Sequence, residues 1–262
     1  MYSADTDCDE SFDYNNYQEI NKTIDVIKTC SAYETDAIVN EEFTVEEILN
    51  EIKKLKCGKK GGWEGITNEH LKYGSVNLSQ CLANLFHAMY TNEYVPHCTK
   101  RGLIYTLYKG SKKYEDDRKN YRGITLLPVI SKLFDKVVLN RVKGWIIRNN
   151  IDFPSNNQHA YQETLCSILA SFDVQETIHF NSERHSKTYL ALLDSSSAFD
   201  FVWHNGLFVK LYTMGIKGKL WRVLFQNYQN MSSNVVFNGM MSSDIQIKRS
   251  VRQGPGVSPA SS

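Results

Sequence analysis

The sequence predicts an α+β fold, and three observations carry that expectation. Apolar residues recur at helical spacing in several stretches that begin or end on recognisable caps. Short apolar runs of strand type flank turn residues, as around Asn238 and Gly239. The 262 residues are 42% hydrophobic, 12% aromatic and 23% charged with no internal repeat, which excludes collagen-like, coiled-coil and wholly disordered chains.

The elements follow in chain order. Residues 1–42 are acidic and rich in Asn and Tyr, with little apolar periodicity, and read as a weakly ordered N-terminal segment with a short helix near 20–30. A second unit, residues 43–262, opens with a Thr-x-x-Glu capping box at Thr44 and Glu47. Val45, Ile48, Leu49, Ile52 and Leu55 then repeat at helical spacing up to Gly58, where a C-terminal cap belongs. A glycine-rich basic loop covers 58–65, and Leu78, Leu82, Leu85, Phe86 and Met89 mark another amphipathic helix. Residues 101–107 and 121–127 read as strands on either side of a charged loop, 110–120. Pro128 suits the first turn of a helix that Ile130, Leu133, Phe134, Val137 and Val138 carry towards Trp145. A helix is expected over 165–180, a short buried strand over 188–193 ending at Asp194, and helices over 207–214 and 219–228. Asn238-Gly239 sits between Val235-Val236-Phe237 and Ile245-Gln246-Ile247, a hairpin pattern.

Charge divides the chain. Residues 1–50 hold 13 Asp/Glu against 2 Lys/Arg, a net of −11, while residues 51–262 hold 28 Lys/Arg against 16 Asp/Glu, a net of +12. That asymmetry suggests an acidic tail beside a body that meets nucleic acid. Six cysteines without a CxxC pair support neither a zinc knuckle nor a disulfide framework. No apolar run reaches the roughly 18 residues of a membrane span, and the N-terminus lacks the basic and apolar regions of a secretory signal. The expected setting is intracellular, nuclear or cytoplasmic, with no membrane partner. The seven histidines show no ligand spacing.

Two segments carry chemistry. In Leu192-Leu193-Asp194-Ser195-Ser196-Ser197-Ala198-Phe199-Asp200, a carboxylate ends an apolar run, a costly placement unless a metal or hydrogen-bond donors satisfy it. A strand-end aspartate also caps turns, so this segment alone leaves both readings open. In Val251-Arg252-Gln253-Gly254-Pro255-Gly256-Val257-Ser258-Pro259, the glycines allow close backbone approach and Gln253 offers an amide.

Together these segments resemble the reverse transcriptase domain of non-LTR (LINE-like) retrotransposons, with its Asp-x-x-x-Ala-Phe-Asp motif followed about fifty residues later by Arg-Gln-Gly-x-x-x-Ser-Pro. The resemblance runs from about Glu46 onward. Lys109-Gly110 and Asn120-Tyr121-Arg122-Gly123-Ile124-Thr125-Leu126-Leu127 look like the family's fingers hairpin, and Ser131-Lys132-Leu133-Phe134 with Arg141 like the helix after it. Tyr228 and the stretch from Val235 to Gly239 are similar to the family's segment between the two palm motifs.

The resemblance implies the fingers and partial palm of a right-hand polymerase fold and the activity of an RNA-directed DNA polymerase. Its partners would be an RNA template, a DNA primer and deoxynucleoside triphosphates. Asp194 matches the first metal-binding carboxylate, a ligand of Mg²⁺ (or Mn²⁺) ions that clamp the attacking hydroxyl and the leaving pyrophosphate. Phe199 matches the residue whose ring closes the pocket under the sugar and excludes a 2′-hydroxyl. Lys109 and Arg122 match the residues that hold the incoming triphosphate, and Gln253 and Gly254 the segment beneath the base and nucleotide. Lys59, Lys60, Lys112 and Lys113, within basic stretches 53–60 and 100–119, would track a nucleic-acid backbone.

Three departures qualify the match. Gly61, Trp63 and Glu64 stand where the family's glycine-rich loop has Pro, Pro and Asp, and Gln162 with Thr164-Leu165-Cys166-Ser167 replaces an Arg and a Gly-Arg-Ser-Thr string. No Phe/Tyr-x-Asp-Asp string follows the Arg-Gln-Gly segment. The expectation is therefore a fragment lacking the catalytic Asp-Asp hairpin and thumb, inactive by itself and not holding the metal pair. Asp200 is expected to cap the next helix and His204 to be structural. The alternative is a non-catalytic nucleic-acid-binding remnant. A hydrolase using Asp194 and Asp200 as an acid–base pair finds no partner cluster elsewhere.

Overall fold

The computed structural model describes residues 13–29, 41–110, 114, 116–117, 120–155, 157–160, 162, 165–194 and 198–252. Nine helices and five strands are described: α1 (Tyr14–Thr29), α2 (Val45–Lys53), α3 (Asn68–Lys72), α4 (Val76–Thr91), α5 (His97–Lys100), β1 (Arg101–Tyr108), β2 (Tyr121–Leu126), α6 (Val129–Arg148), α7 (Ser167–Glu183), α8 (His204–Thr213), α9 (Gly218–Tyr228), β3 (Ser232–Phe237), β4 (Met240–Met241) and β5 (Ile245–Gln246). The mixed α+β composition agrees with the sequence reading.

Local chemistry explains several boundaries. The Thr44 side chain accepts from the Glu47 amide while Glu47 accepts from the Thr44 amide, so the capping box of α2 is complete. Glu47 also receives two bonds from Arg141 on α6, whose guanidinium lies 3.9 Å from the Phe43 ring centroid. Burial raises the Glu47 carboxyl pKa, but the bonds from Arg141 and Thr44 outweigh it and hold the group below its ordinary value. Gly215, at φ 99°, ends α8, and Asn238 and Gly239, both at positive φ, make the turn between β3 and β4.

Buried side chains of α1, α2, α4, α6, α8 and α9 form one core. Phe43, Phe86 and Phe134 pack together at one end of it, and Phe208, Trp221 and Phe225 at the other. The N-terminal segment joins in. Its helix is longer than the sequence suggests, and Ile24 and Ile27 are buried in the common core. Tyr17 stacks on Trp203 at 4.9 Å, and Asn205 bonds Asn21. Apolar positions three residues apart give α1 a face to bury, so this stretch packs rather than trailing in solvent.

The sheet runs β2-β1-β3-β4, with β5 on β3. β1 and β2 form the expected antiparallel hairpin, whereas β1 and β3 pair in parallel, Arg101 with Ser232 through Tyr105 with Val236. Three of the four pairings are antiparallel. The parallel pairing fastens the hairpin to the second half of the chain.

One expected strand does not form. Residues 188–193 lie outside any strand, and Tyr189, Leu192 and Leu193 are 86–97% exposed. A buried strand needs neighbours for its amide and carbonyl groups, and the five described strands pair among themselves. Helix α7 is likewise open to solvent: it buries none of its residues, and Ile168, Phe172, Ile178 and Phe180 are exposed.

Candidate nucleotide and nucleic-acid site

The hairpin places two cations on one face. Leu107 pairs with Arg122, and the Lys109 amide donates to the Asn120 carbonyl at 2.8 Å, continuing the same register. Alternation along each strand then sets Lys109 and Arg122 on the same side as Leu107 and Ile124. Both cations are exposed, and Leu107 and Ile124 are partly open to solvent. Lys59 and Lys60 are exposed on the loop after α2, and the Lys60 ammonium sits 5.1 Å from the Tyr105 ring centroid. Lys112 and Lys113 lie outside the described residues. Lys100, within the second basic stretch, does not face a backbone in solvent: it is 5% exposed and donates to the Gln226 carbonyl. Burial, reinforced by the Arg252 charge, lowers its pKa.

The two signature segments meet. The Val251 amide donates to the Phe199 carbonyl at 3.1 Å, the Ser250 amide to Val202 at 3.0 Å, and Trp203 bridges to Arg249. Phe199 sits half exposed in this turn. Asp200 departs from the sequence reading. The residue before α8 is Trp203, with no side-chain cap, and Asp200 instead lines a small cavity with Thr125, Ser233, Val251 and Arg252. His204, buried beside the Tyr228 ring, has Nε2 2.8 Å from the Ser250 carbonyl oxygen. Burial lowers its pKa, although the bond to Ser250 opposes this. Gln253 and Gly254 lie outside the described residues.

Arg252 is the residue that sequence reasoning left without a role. Its guanidinium is buried and donates to Asp135 Oδ2 at 3.2 Å, to the Asn227 carbonyl at 2.9 Å and to the Ser131 hydroxyl. Asn227 donates in turn to Asp135 Oδ1 at 2.5 Å. The available clue was an acid, Asp135, directly following the Ser131-Lys132-Leu133-Phe134 block of an otherwise apolar helix face.

Asp194 ends the exposed stretch after α7 and is itself exposed. Among the described residues, no group of three or more His, Cys, Asp or Glu side chains is placed to hold a metal ion. One exposed carboxylate supplies too few hard oxygen ligands for a pair of divalent cations, so the described side chains do not by themselves fit that group. The letters Tyr114-Glu115-Asp116-Asp117 do spell Tyr-x-Asp-Asp, but they precede Asp194 and fall in the loop between β1 and β2, where Asp116 and Asp117 are exposed.

The departures in the glycine-rich loop acquire a physical account. Glu64 Oε1 accepts from the Val129 amide at 3.0 Å, a carboxylate at the N-terminus of α6. A Cβ at Gly61 would run into the Ile66 carbonyl oxygen. Trp63 donates to the Cys98 carbonyl and carries the Arg101 guanidinium 5.5 Å from its ring centroid. No described helix is long and apolar enough to cross a membrane.

Comparison with known proteins identifies the family. The profile of the family described as "Reverse transcriptase (RNA-dependent DNA polymerase)" matches residues 109–262. Among curated Drosophila melanogaster proteins, the "Probable RNA-directed DNA polymerase from transposon BS" is 29% identical over 175 residues, 64% of this chain and 18% of that protein. The "RNA-directed DNA polymerase from mobile element jockey" is 28% identical over 222 residues, 82% of this chain and 23% of its own length. The "Probable RNA-directed DNA polymerase from transposon X-element" is 25% identical over 213 residues, covering 81% and 23%. The chain thus spans about a fifth of the length of these relatives. With more than half of its residues matched by that profile, and its relatives drawn from mobile elements, the chain belongs to the reverse transcriptase family as a LINE-like, non-LTR retrotransposon reverse transcriptase domain.

Proposed function

We propose that this chain supplies the fingers and part of the palm of an RNA-directed DNA polymerase that extends a DNA primer on an RNA template. The observation that carries the reading is the pairing of the two signature segments, Val251 to Phe199 and Ser250 to Val202, in a chain whose hairpin sets Lys109 and Arg122 on one face. Lys109 and Arg122 hold the triphosphate of the incoming nucleotide, a mobile ammonium and a forked guanidinium on phosphate oxygens. The Phe199 ring closes the pocket under the sugar. The resemblance assigns Gln253 and Gly254, outside the described residues, to the segment that serves the templating base and nucleotide. Lys59, Lys60, Lys112 and Lys113 track the nucleic-acid backbone. Asp194 would offer one carboxylate to a divalent cation, Mg²⁺ or Mn²⁺, a group that the described side chains do not hold by themselves and that would supply Lewis acidity.

The test is binding. The chain, mixed with an RNA template annealed to a DNA primer, is titrated with a deoxynucleoside triphosphate. Lys109→Ala and Arg122→Ala should each weaken nucleotide binding about tenfold or more, the loss of one charge-assisted contact. Neither should change primer–template affinity by more than about twofold. Lys59→Ala with Lys60→Ala should do the reverse and flatten the salt dependence. Nucleotide affinity indifferent to both hairpin substitutions would remove the triphosphate assignment.

A further inference from the structure

We infer that Arg252 is a positioning residue for sugar selection, acting through Phe199; this rests on the reading of Phe199 given above. The route is short and covalently plain. Arg252 is 6% exposed, and its guanidinium is spread over three groups on two helices: Ser131 and Asp135 on α6 and the Asn227 carbonyl on α9. Its own amide donates to the Tyr228 hydroxyl at 3.4 Å. The strip immediately before it carries the bonds to the Phe199 turn, from Val251 to the Phe199 carbonyl and from Ser250 to the Val202 carbonyl. The turn that aims the Phe199 ring is therefore held by a strip that the Arg252 side chain fastens to α6 and α9, alongside His204 on the Ser250 carbonyl and the Tyr228 hydroxyl on the Arg252 amide.

Two features of the strip show that it depends on its surroundings. Ser250 adopts φ 103°, a region a serine occupies only when its neighbours hold it there. The Lys100 ammonium stands close enough to Arg252 for the two charges to repel, so Asp135 is the carboxylate that compensates the buried guanidinium. With Arg252 neutralised, the Asp135–Asn227 pair remains but no longer ties to the strip, and Ser250, held then by His204 at its carbonyl, relaxes more readily from its strained conformation. The Phe199 carbonyl then loses the fixed donor opposite it. Such a ring, displaced by a fraction of an ångström, no longer meets a 2′-hydroxyl at contact distance, whereas a deoxyribose, which needs only to be accommodated, is little affected.

The experiment uses the full chain bound to an RNA template and DNA primer that present a templating cytosine, titrated with dGTP and with GTP in Mg²⁺. Arg252→Gln and Asp135→Asn should each reduce the preference for dGTP on the order of tenfold, mainly by admitting GTP, while primer–template affinity stays within about twofold. Arg252→Lys, which keeps a charge facing Asp135, should retain part of the preference. In a Phe199→Val background, Arg252→Gln should add nothing further, because the two act through one ring. Should Arg252→Gln fold poorly, Ser131→Ala, which removes a single bond to the guanidinium, carries the same test.

A second measurement needs no nucleotide. Hydrogen exchange at the Ser250 and Val251 amides should speed up in Arg252→Gln while α6 and α9 keep their protection. Faster exchange there with an unchanged dGTP preference overturns the inference and leaves the proposed nucleotide site standing. A wild-type chain with no preference for dGTP removes the reading of Phe199, and the inference with it.

Discussion

His204 illustrates what a single buried residue does here. Its ring is packed edge-on against Tyr228 at 5.0 Å, and Nε2 faces the Ser250 carbonyl, so the neutral imidazole serves as a donor to the strained strip. Burial holds its pKa below the ordinary 6.5, which means the unfolded chain takes up the proton first as the pH falls. The associated stability is fully present above about pH 6.5 and is lost as the pH drops from there to the folded-state pKa. Urea denaturation midpoints should therefore decline through that window. His204→Gln, which keeps a donor but does not titrate, should remove the decline at the cost of some stability at neutral pH. A decline of the same size in that variant would assign it to other groups. Of the candidate site, residue type and spacing carried the resemblance that singles out Phe199, Lys109 and Arg122. Arg252 was not legible: its carboxylate partner is 117 positions away, and nothing local distinguishes a buried arginine from a solvated one.

Elements divide into those specified locally and those specified by partners. Helix α2 belongs to the first kind, and Thr44→Ala should cost about 1 kcal/mol by removing the side-chain half of its capping box, the bond from the Glu47 amide, read as a lower denaturation midpoint with unchanged slope. Helices α4, α6, α8 and α9 were legible for the same reason, through periodicity and stop residues. The five-residue α3 and four-residue α5 were missed because so few residues display no period. Residues 188–193 and α7 belong to the second kind. An apolar run shows what a chain would bury, not whether a partner is there, and here the side chains of Tyr189, Leu192, Leu193, Phe172 and Ile178 meet solvent. The parallel pairing of β1 with β3 was invisible for the same reason. Because α7 buries nothing, Phe172→Lys and Ile178→Lys should leave the melting transition within about 0.5 kcal/mol of the parent while reducing self-association in sedimentation. A large destabilisation would show that α7 packs in solution.

At the scale of the whole molecule, charge and packing pull the N-terminal segment in two directions. The first 50 residues carry a net of −11 beside a body of +12, so their field opposes phosphate binding by that body. Yet α1 contributes Ile24 and Ile27 to the common core and stacks Tyr17 on Trp203, one residue before α8. Removing residues 1–42 to relieve repulsion would thus expose two isoleucines' worth of core, roughly 3 kcal/mol or more, and loosen the turn that carries Phe199. The effects separate at residue 13. Residues 1–12 hold Asp5, Asp7, Asp9 and Glu10 with no Lys or Arg, and precede α1. Deleting only these twelve should leave the melting temperature unchanged and tighten binding to an RNA–DNA duplex at low salt. The gain should fade as salt rises, and vanish near 1 M, where charges farther apart than about 3 Å are screened. Deleting 1–42 should instead lower the melting temperature. Tightening that persists at high salt would mean that the segment blocks the surface by contact rather than by charge, and no tightening at low salt would mean that the basic face lies beyond its field.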